Sequence, residues 1–460
     1  MVFTDRLKNI DSTRVAFVAL AATILLLPLG LGGARVLPFA LAQIGLAIFF
    51  TAYAAGSPDA VPLPRRLKVA GSLFALVLLW GWVQTVGFTP SDWHHPLWSD
   101  ANTLLGGEYW GAISLTPQNG HAVLMTMTTY ALLLAAVYVL ARDPITAHKL
   151  LMMLWCVGVA VCLYGLVLQA ADSRTILWWD KWGYETDLTA TFVNRNHFAD
   201  YAGIVFIVGL GLAWQSLRTL LRTAKPHARG AAIQSWLLRS GLAYTVALLL
   251  VMMAIIFSHS RAGLVATLLG TGVFGAAYLV YQKRFMLALA LPLLVALAGA
   301  GAVATLGDSV SRFNTLFSDY SSRDRMTAYT DTANAIADNP FFGHGLGSFE
   351  QAFRLYRSHD IRAYFDHAHS DWLEMAFDLG VPAAALLFIA IALLVSGCWH
   401  GVRTRRQYGL YPALGLGVSA LVLAHALVDF NLQVPGVVVS WLLVLGAGLA
   451  QGWSSRHERH

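Results

Sequence analysis

The chain has 460 residues, of which 57% are hydrophobic and only 12% charged, with a net charge of +6 and a mean hydropathy of +0.59. Soluble proteins carry about 25% charged residues, so this chain lacks the polar surface to coat a globule in water. That excludes a cytosolic enzyme, a nucleic-acid binder and a disordered scaffold, and the basic balance fits the cytoplasmic loops of a polytopic membrane protein.

A hydrocarbon core of about 30 Å needs roughly 20 apolar residues per helix. Twelve such stretches are centred near residues 24, 45, 78, 131, 160, 209, 249, 271, 296, 390, 418 and 443. The expected fold class is therefore an all-α integral membrane protein with about 12 transmembrane helices, a single polytopic domain over residues 1–460. The first stretch follows MVFTDRLKNIDSTR and has no small-residue cleavage site, so it reads as a signal anchor. Cys156, Cys162 and Cys398 all sit in apolar runs and read as packing residues, with neither a disulfide framework nor metal-ligand spacing.

Charge sets the direction. With the N-terminus in the cytoplasm, 20 of the 31 basic residues fall in inside segments and 11 outside, which places both termini in the cytoplasm. Ten of those eleven outside residues are Arg, the side chain whose planar fork grips phosphate or carboxylate. The inside loops are short, whereas residues 89–119, 172–198 and 307–379 form long outside segments, and loops of that length are uncommon without a task. The largest, 307–379, lies between spans nine and ten and carries helical signals of its own. Ser321-Ser322-Arg323-Asp324 predicts an N-cap, with Met326, Tyr329, Ala333 and Ile336 on one face until Asn339-Pro340 stops the helix. Ser348-Phe349-Glu350-Gln351 predicts a capping box opening a second helix, with Phe349, Phe353 and Tyr356 on one side. No internal repeat or low-complexity tract is evident.

Polar residues able to do chemistry occur in five segments, and the topology puts all five on one side. They are Thr191–Phe198, with Asn194, Arg195, Asn196 and His197; Ser258–Gly263, with Arg261; Arg323 and Arg325, followed by Asn339–Gly347; His367–Glu374, with His369; and His425–Pro435, with Asp429. The middles of the spans carry essentially no charge. Each segment also has a plain reading. Arg261 at a helix end can snorkel, and Asn194-Arg195 can be a capped loop with a surface charge. The glycines of 343–347 suit tight turns better than a phosphate loop, since no strand precedes them and no Lys-Ser/Thr follows. His367-x-His369 with Asp371 could bind a metal, but nothing fixes a third ligand. His425 and Asp429, four apart, could simply pair with each other.

Taken together the segments say more. Several Arg and one or two His converge on the side opposite ATP and nucleotide sugars, so the substrate must arrive already activated and membrane-borne. A polyprenyl-diphosphate glycan meets that need: two or three Arg can hold the diphosphate bidentately while a His accepts the acceptor hydroxyl's proton.

At these residues the sequence resembles the O-antigen ligase / Wzy-type polysaccharide polymerase superfamily, over about residues 187–437. The F-x-N-x-N-x-F-A type run is Phe192 to Ala199, S-R-x-G is Ser260 to Gly263, and N-P-x-x-G-x-G-x-x-x-F is Asn339 to Phe349. The His-Ser pair at 369–370 precedes Gly380 by the family's spacing, with Ser370 where Asn is commoner. The V-D-F-N-L-x-x-P run at 428–435 looks like exopolysaccharide-type members.

The resemblance implies a GT-C-like glycosyltransferase of the bacterial inner membrane, with its active site on the periplasmic face. Such an enzyme moves glycan en bloc from undecaprenyl diphosphate to an acceptor hydroxyl, with inversion and without a metal or other cofactor. Carried over position by position, His369 would activate the acceptor. Arg195 and Arg261 would hold the donor diphosphate, with Arg323 and Arg325 as weaker candidates. Asn194, His197, His367 and Asp429 would support them. The partners implied are the lipid-linked donor, a glycan or lipid A–core acceptor, membrane lipids, and a flippase and chain-length regulator, with no nucleic acid. Polymerisation of O-antigen or exopolysaccharide repeat units is the leading expectation. Ligation of finished glycan to lipid A–core comes next and protein O-glycosylation last. From another class, a 12-span transporter shares the span count but would carry charge at the midplane.

Overall fold

The computed structural model describes residues 12–33, 35–56, 61–107, 109–284, 286–288 and 320–453. Apart from a small hairpin pairing Thr175–Ile176 with Trp179–Asp180, the described regular structure is helical. The helices are α1 (Ser12–Leu29), α2 (Val36–Gly56), α3 (Arg65–Thr85), α4 (Leu97–Leu105), α5 (Pro117–Leu140), α6 (Pro144–Ala170), α7 (Arg195–Thr223), α8 (Arg229–Trp236), α9 (Leu242–Phe257) and α10 (Arg261–Tyr281). There follow α11 (Tyr320–Asp338), α12 (Phe349–Ala352), α13 (Asp371–Leu379), α14 (Val381–Thr404), α15 (Leu410–His425) and α16 (Pro435–Gly452).

Among the described residues nine helical stretches are long and apolar enough to cross a membrane, with α8 and α9 counted as one through the turn Leu237–Gly241. Two shorter apolar helices, Arg14–Leu29 and Leu410–His425, occupy the expected first and eleventh positions. The stretch expected near residue 296 and the first part of 307–379 lie outside the described residues.

Local chemistry sets the helix starts. Pro117, Pro144 and Pro435 open their helices, where the missing N–H costs nothing. Asp143 caps α6 by accepting from the Thr146 N–H, and the Asn194 and Ser260 side chains cap α7 and α10 from Asn196 N and Gly263 N. Small residues let the central helices approach closely: a Cβ on Gly270 of α10 would stand 2.7 Å from the Gly417 carbonyl of α15. α16 runs through the middle of the bundle, and every residue from Gly436 to Gly452 is buried. Cys162 and Cys398 are buried as packing residues, but Cys156 faces outward from α6.

The two ends of the bundle differ chemically. At one end Arg66 donates to the Ser396 carbonyl, Arg218 to Tyr278 and Gln282, and Gln451 to the Ala141 and Arg142 carbonyls. The other end carries the starts of α7 and α10, the end of α15 and the segment 320–380. That segment has its own core of Ala328, Ala335, Phe349, Phe353, Phe365 and Phe377. Leu346 and Leu379 join it to the spans at Val77 and Leu387.

Two expectations for this segment need correction. α11 already includes Ser321, so that residue is not its N-cap. Its buried face is Asp324, Ala328, Asp331, Thr332 and Ala335, whereas Met326 and Ala333 are exposed. The apolar pattern misleads because this face buries carboxylates that cap backbone: Asp331 accepts from Ser358 N and Oγ, both at 2.8 Å, and Asp324 faces the Arg362 and Ala363 N–H groups. The capping box at Ser348 does not form either. Its hydroxyl donates to the Gly345 and His344 carbonyls, although Phe349 and Phe353 stack beneath as expected, 4.9 Å apart.

Candidate active site

Asp429 is the centre at which four of the five polar segments meet. It lies in the turn between α15 and α16 and is fully buried. Its Oδ2 accepts a 2.6 Å hydrogen bond from Asn196 Nδ2 on the first turn of α7, and Asn196 Oδ1 accepts from Ser260 Oγ at 2.8 Å. Its Oδ1 stands 3.4 Å from His369 Nδ1 and 3.7 Å from His197 Nε2. Burial pushes the Asp429 carboxyl up, but the facing His197 and His369 rings outweigh it and hold Asp429 well below the usual carboxylate range. The carboxylate is therefore ionised at neutral pH, able to orient a His and to balance its charge.

His369 sits on a left-handed backbone, φ 50°, a conformation uncommon for a residue with a side chain. Tyr329 of α11 holds it there by donating to the His369 carbonyl at 2.8 Å. The Phe430 ring is packed by three imidazoles: His367 stacked at 4.3 Å, with His197 and His369 edge-on at 4.6 and 5.1 Å. His367 and His369 are next but one in sequence yet face different carboxylates. His367 Nδ1 lies 2.9 Å from Glu374 Oε1, whose carboxylate also accepts from Ala368 N and Gln433 Nε2. Burial alone would lower His367, but the charge and hydrogen bond of Glu374 raise it to about 9.

Arg195 begins α7, and its Nη1 donates to Asp187 Oδ2 at 2.8 Å with Tyr184 across its face at 5.4 Å. Arg325, half-buried on α11, lies within electrostatic reach of Tyr184 and Tyr329. Arg261 is exposed at the first position of α10, directly after the Ser260 that bonds Asn196, and makes no ion pair among the described residues. Arg323 is exposed on the first turn of α11 and likewise unpaired among those residues. The structure thus brings His197, His369 and Asp429 together directly, with His367 joined through Phe430, while Arg195 is held apart on Asp187 and Tyr184, one residue before the Asn196 that bonds Asp429. Asn194 serves as the α7 cap.

His425 does not pair with Asp429. Its Nδ1 meets Asp200 of α7, which also accepts from Asn431 at 2.7 Å, so this buried trio pins α15 and the 429–435 turn to α7. The glycines of 343–347 are turn residues: Gly343, Gly345 and Gly347 have φ of 67°, 106° and 73°. Their N–H groups are spent within the protein, Gly345 on the Asp378 carbonyl and Gly347 on the buried Asp378 carboxylate at 2.7 Å. Sequence reasoning gave no separate role to Asn196, Glu374 and Phe430, and passed over Asp187 and Tyr184. Asn196 and Phe430 lay within quoted motifs, whereas Asp187 and Tyr184 had no signal beyond closeness to Arg195.

Residues 246–388, from within α9 into α14, match the family model Wzy_C, described as O-antigen ligase. This span holds Arg261, Arg323, Arg325, the glycine run and His369, and it bears out the resemblance to the O-antigen ligase / Wzy-type superfamily. A search of curated proteins found no match.

Proposed function

We propose that this chain, which carries an O-antigen ligase-family domain at residues 246–388, transfers glycan en bloc from a polyprenyl diphosphate to an acceptor sugar hydroxyl. The observation that carries the reading is the His369–Asp429 pair, 3.4 Å apart, at the same end of the bundle as Arg195 and Arg325. With Nδ1 turned to a carboxylate, His369 presents Nε2 to an acceptor, takes the hydroxyl proton as the C–O bond forms, and leaves Asp429 to balance the imidazolium. The sugar–diphosphate bond breaks on the opposite face, giving inversion, and the departing charge falls to Arg195, Arg261 and Arg325, with Arg323 at the rim. A diphosphate is a sufficient leaving group when held by guanidinium forks, so the step runs without a metal or other cofactor.

The setting is the bacterial inner membrane, with about 12 spans in a GT-C-like arrangement and the site on the periplasmic face, built in part from the 307–379 loop. Joining of repeat units onto a growing lipid-linked chain is the leading reading. It rests on the V-D-F-N-L-x-x-P run, which supplies Asp429 and Phe430. Transfer of finished glycan to lipid A–core is the second reading, favoured by the description of the matched family. Reconstitution with a defined undecaprenyl-diphosphate glycan, offering lipid A–core and a second lipid-linked unit as rival acceptors, decides between them. Transfer to neither acceptor overturns the proposal.

A further inference from the structure

The tip between α9 and α10 presents a further Asp–His pair, partly exposed, that the reaction above leaves unused. His259 Nδ1 lies 2.8 Å from Asp187 Oδ1, and the other oxygen of the same carboxylate holds Arg195 Nη1 at 2.8 Å. One nearly buried carboxylate thus fixes two donors from segments far apart in sequence. The tip itself is clamped. Ser258 is buried and its hydroxyl donates to the Ile255 carbonyl at 2.6 Å, the Ser260 N–H returns to Ser258 Oγ, and Leu188 N bonds the Phe257 carbonyl at 3.0 Å. Against this clamp His259 holds a left-handed backbone, φ 54°, and its side chain remains 58% exposed. Such a conformation persists in a residue with a Cβ only where its surroundings impose it.

Both donors have capacity left over. The Arg195 Nε–H is buried without a hydrogen-bond partner, and the guanidinium's second amino group is not taken by Asp187. His259 Nε2 is turned away from Asp187. Lys181 Nζ donates to the Asp187 carbonyl at 2.9 Å and Tyr184 covers one face of Arg195, so these two contacts also hold the loop around the carboxylate. Asp187 offsets the charge of Arg195, so an anion of two or more charges needs a further donor beside it; with Nδ1 given to Asp187, His259 donates from Nε2 when the ring carries both protons.

We propose that His259 is a further ligand of the donor's diphosphate, and that Asp187 is a positioning residue holding the His259 ring and the Arg195 guanidinium as one preformed clamp. The proposal rests on the donor assignment above and adds a residue which that assignment does not use. A clamp of two separated donors matches two linked phosphates better than one, so it predicts selectivity for diphosphate over monophosphate.

The test is binding of undecaprenyl diphosphate and undecaprenyl monophosphate to the purified, detergent-solubilised protein and its variants. His259→Asn is the informative variant, because Asn tolerates the left-handed backbone while losing the ring nitrogen that reaches past Asp187. It should weaken diphosphate binding by roughly tenfold to a hundredfold, the range for one charged hydrogen bond, and narrow the preference over monophosphate. His259→Arg should recover most of that loss, which a residue needed only to shape the tip would not do. Asp187→Asn should raise the KM for donor more than it lowers kcat. If His259→Asn binds diphosphate like wild type, or loses diphosphate and monophosphate affinity equally, the clamp is refuted. If wild type binds neither lipid, the donor assignment itself fails.

Discussion

Asn196 donates a 2.6 Å hydrogen bond to Asp429 across 233 residues of chain, fixing one carboxylate oxygen so that the other faces His369. On the proposed mechanism the carboxylate acts through its charge and aim. Asp429→Asn keeps the volume and should lower kcat by roughly 10²–10⁴, the usual worth of a supported general base, with little change in donor KM. His369→Ala should abolish transfer while the protein still inserts and folds. Turnover by that purified variant at the wild-type rate would remove His369 from the mechanism. Asp429 also links stability to pH. Because its folded-state value is depressed, its contribution is present above about 3.9 and is lost as pH falls through the folded value. Melting curves of Asp429→Asn should lack that acid-side dependence.

The His367–Glu374 pair has the opposite sign. His367 is raised to about 9, so its stabilisation is complete below the unfolded value near 6.5 and vanishes as pH rises through about 9. Thermal melts should show wild type losing stability over this alkaline window. Glu374→Gln should be less stable at pH 6 and flatter above it. Parallel curves for the two proteins would show that the pair does not titrate as described.

Arg261 stands exposed and unpaired among the described residues at the start of α10. Arg261→Ala should therefore cost activity and donor affinity without unfolding the chain. Arg261→Lys should rescue poorly, since a point-like ammonium cannot reproduce a two-pronged contact with phosphate. Full activity in the Lys variant would reduce the role of Arg261 to bulk charge.

Gly343 tests the scaffold instead of the chemistry. It has φ 67°, and a Cβ there would come within 2.4 Å of both the Asp378 carbonyl and the Gly380 N–H. Gly343→Ala should destabilise by about 3 kcal/mol or more, since left-handed strain and a backbone clash add. Gly183→Ala, where a Cβ meets nothing within 4 Å, is the control. Equal melting temperatures for the two variants would contradict the packing of residues 343–347 on α13.

The span positions were legible because a lipid solvent imposes a long, uniform apolar signal, and eleven of the twelve expected centres fall on described helices. The candidate site was legible in part because charged residues are rare enough here to stand out, as Arg195, His369 and Asp429 do. Their pairing was not. His259 meets Asp187 from 72 residues away and His425 meets Asp200 from 225, whereas local spacing offered Asp429 as the partner of His425. The buried face of α11 was hidden for a different reason: Asp324 and Asp331 are buried as caps for loop backbone, which no hydrophobic period records. Phe430 stayed unremarked because, in a chain this rich in aromatics, an aromatic packed by three imidazoles looks like any other.

The buried helix α16 has a consequence for the order in which the protein comes into being. Asp429 emerges from the ribosome after His369, and the helix that locks its turn in place emerges later still. A nascent chain halted at Ala426 carries His369 with no carboxylate behind it, and one halted before Gly452 lacks part of the helix around which its neighbours close. On the proposed mechanism, the arginines and the histidine are thus synthesised before the carboxylate that would orient the histidine.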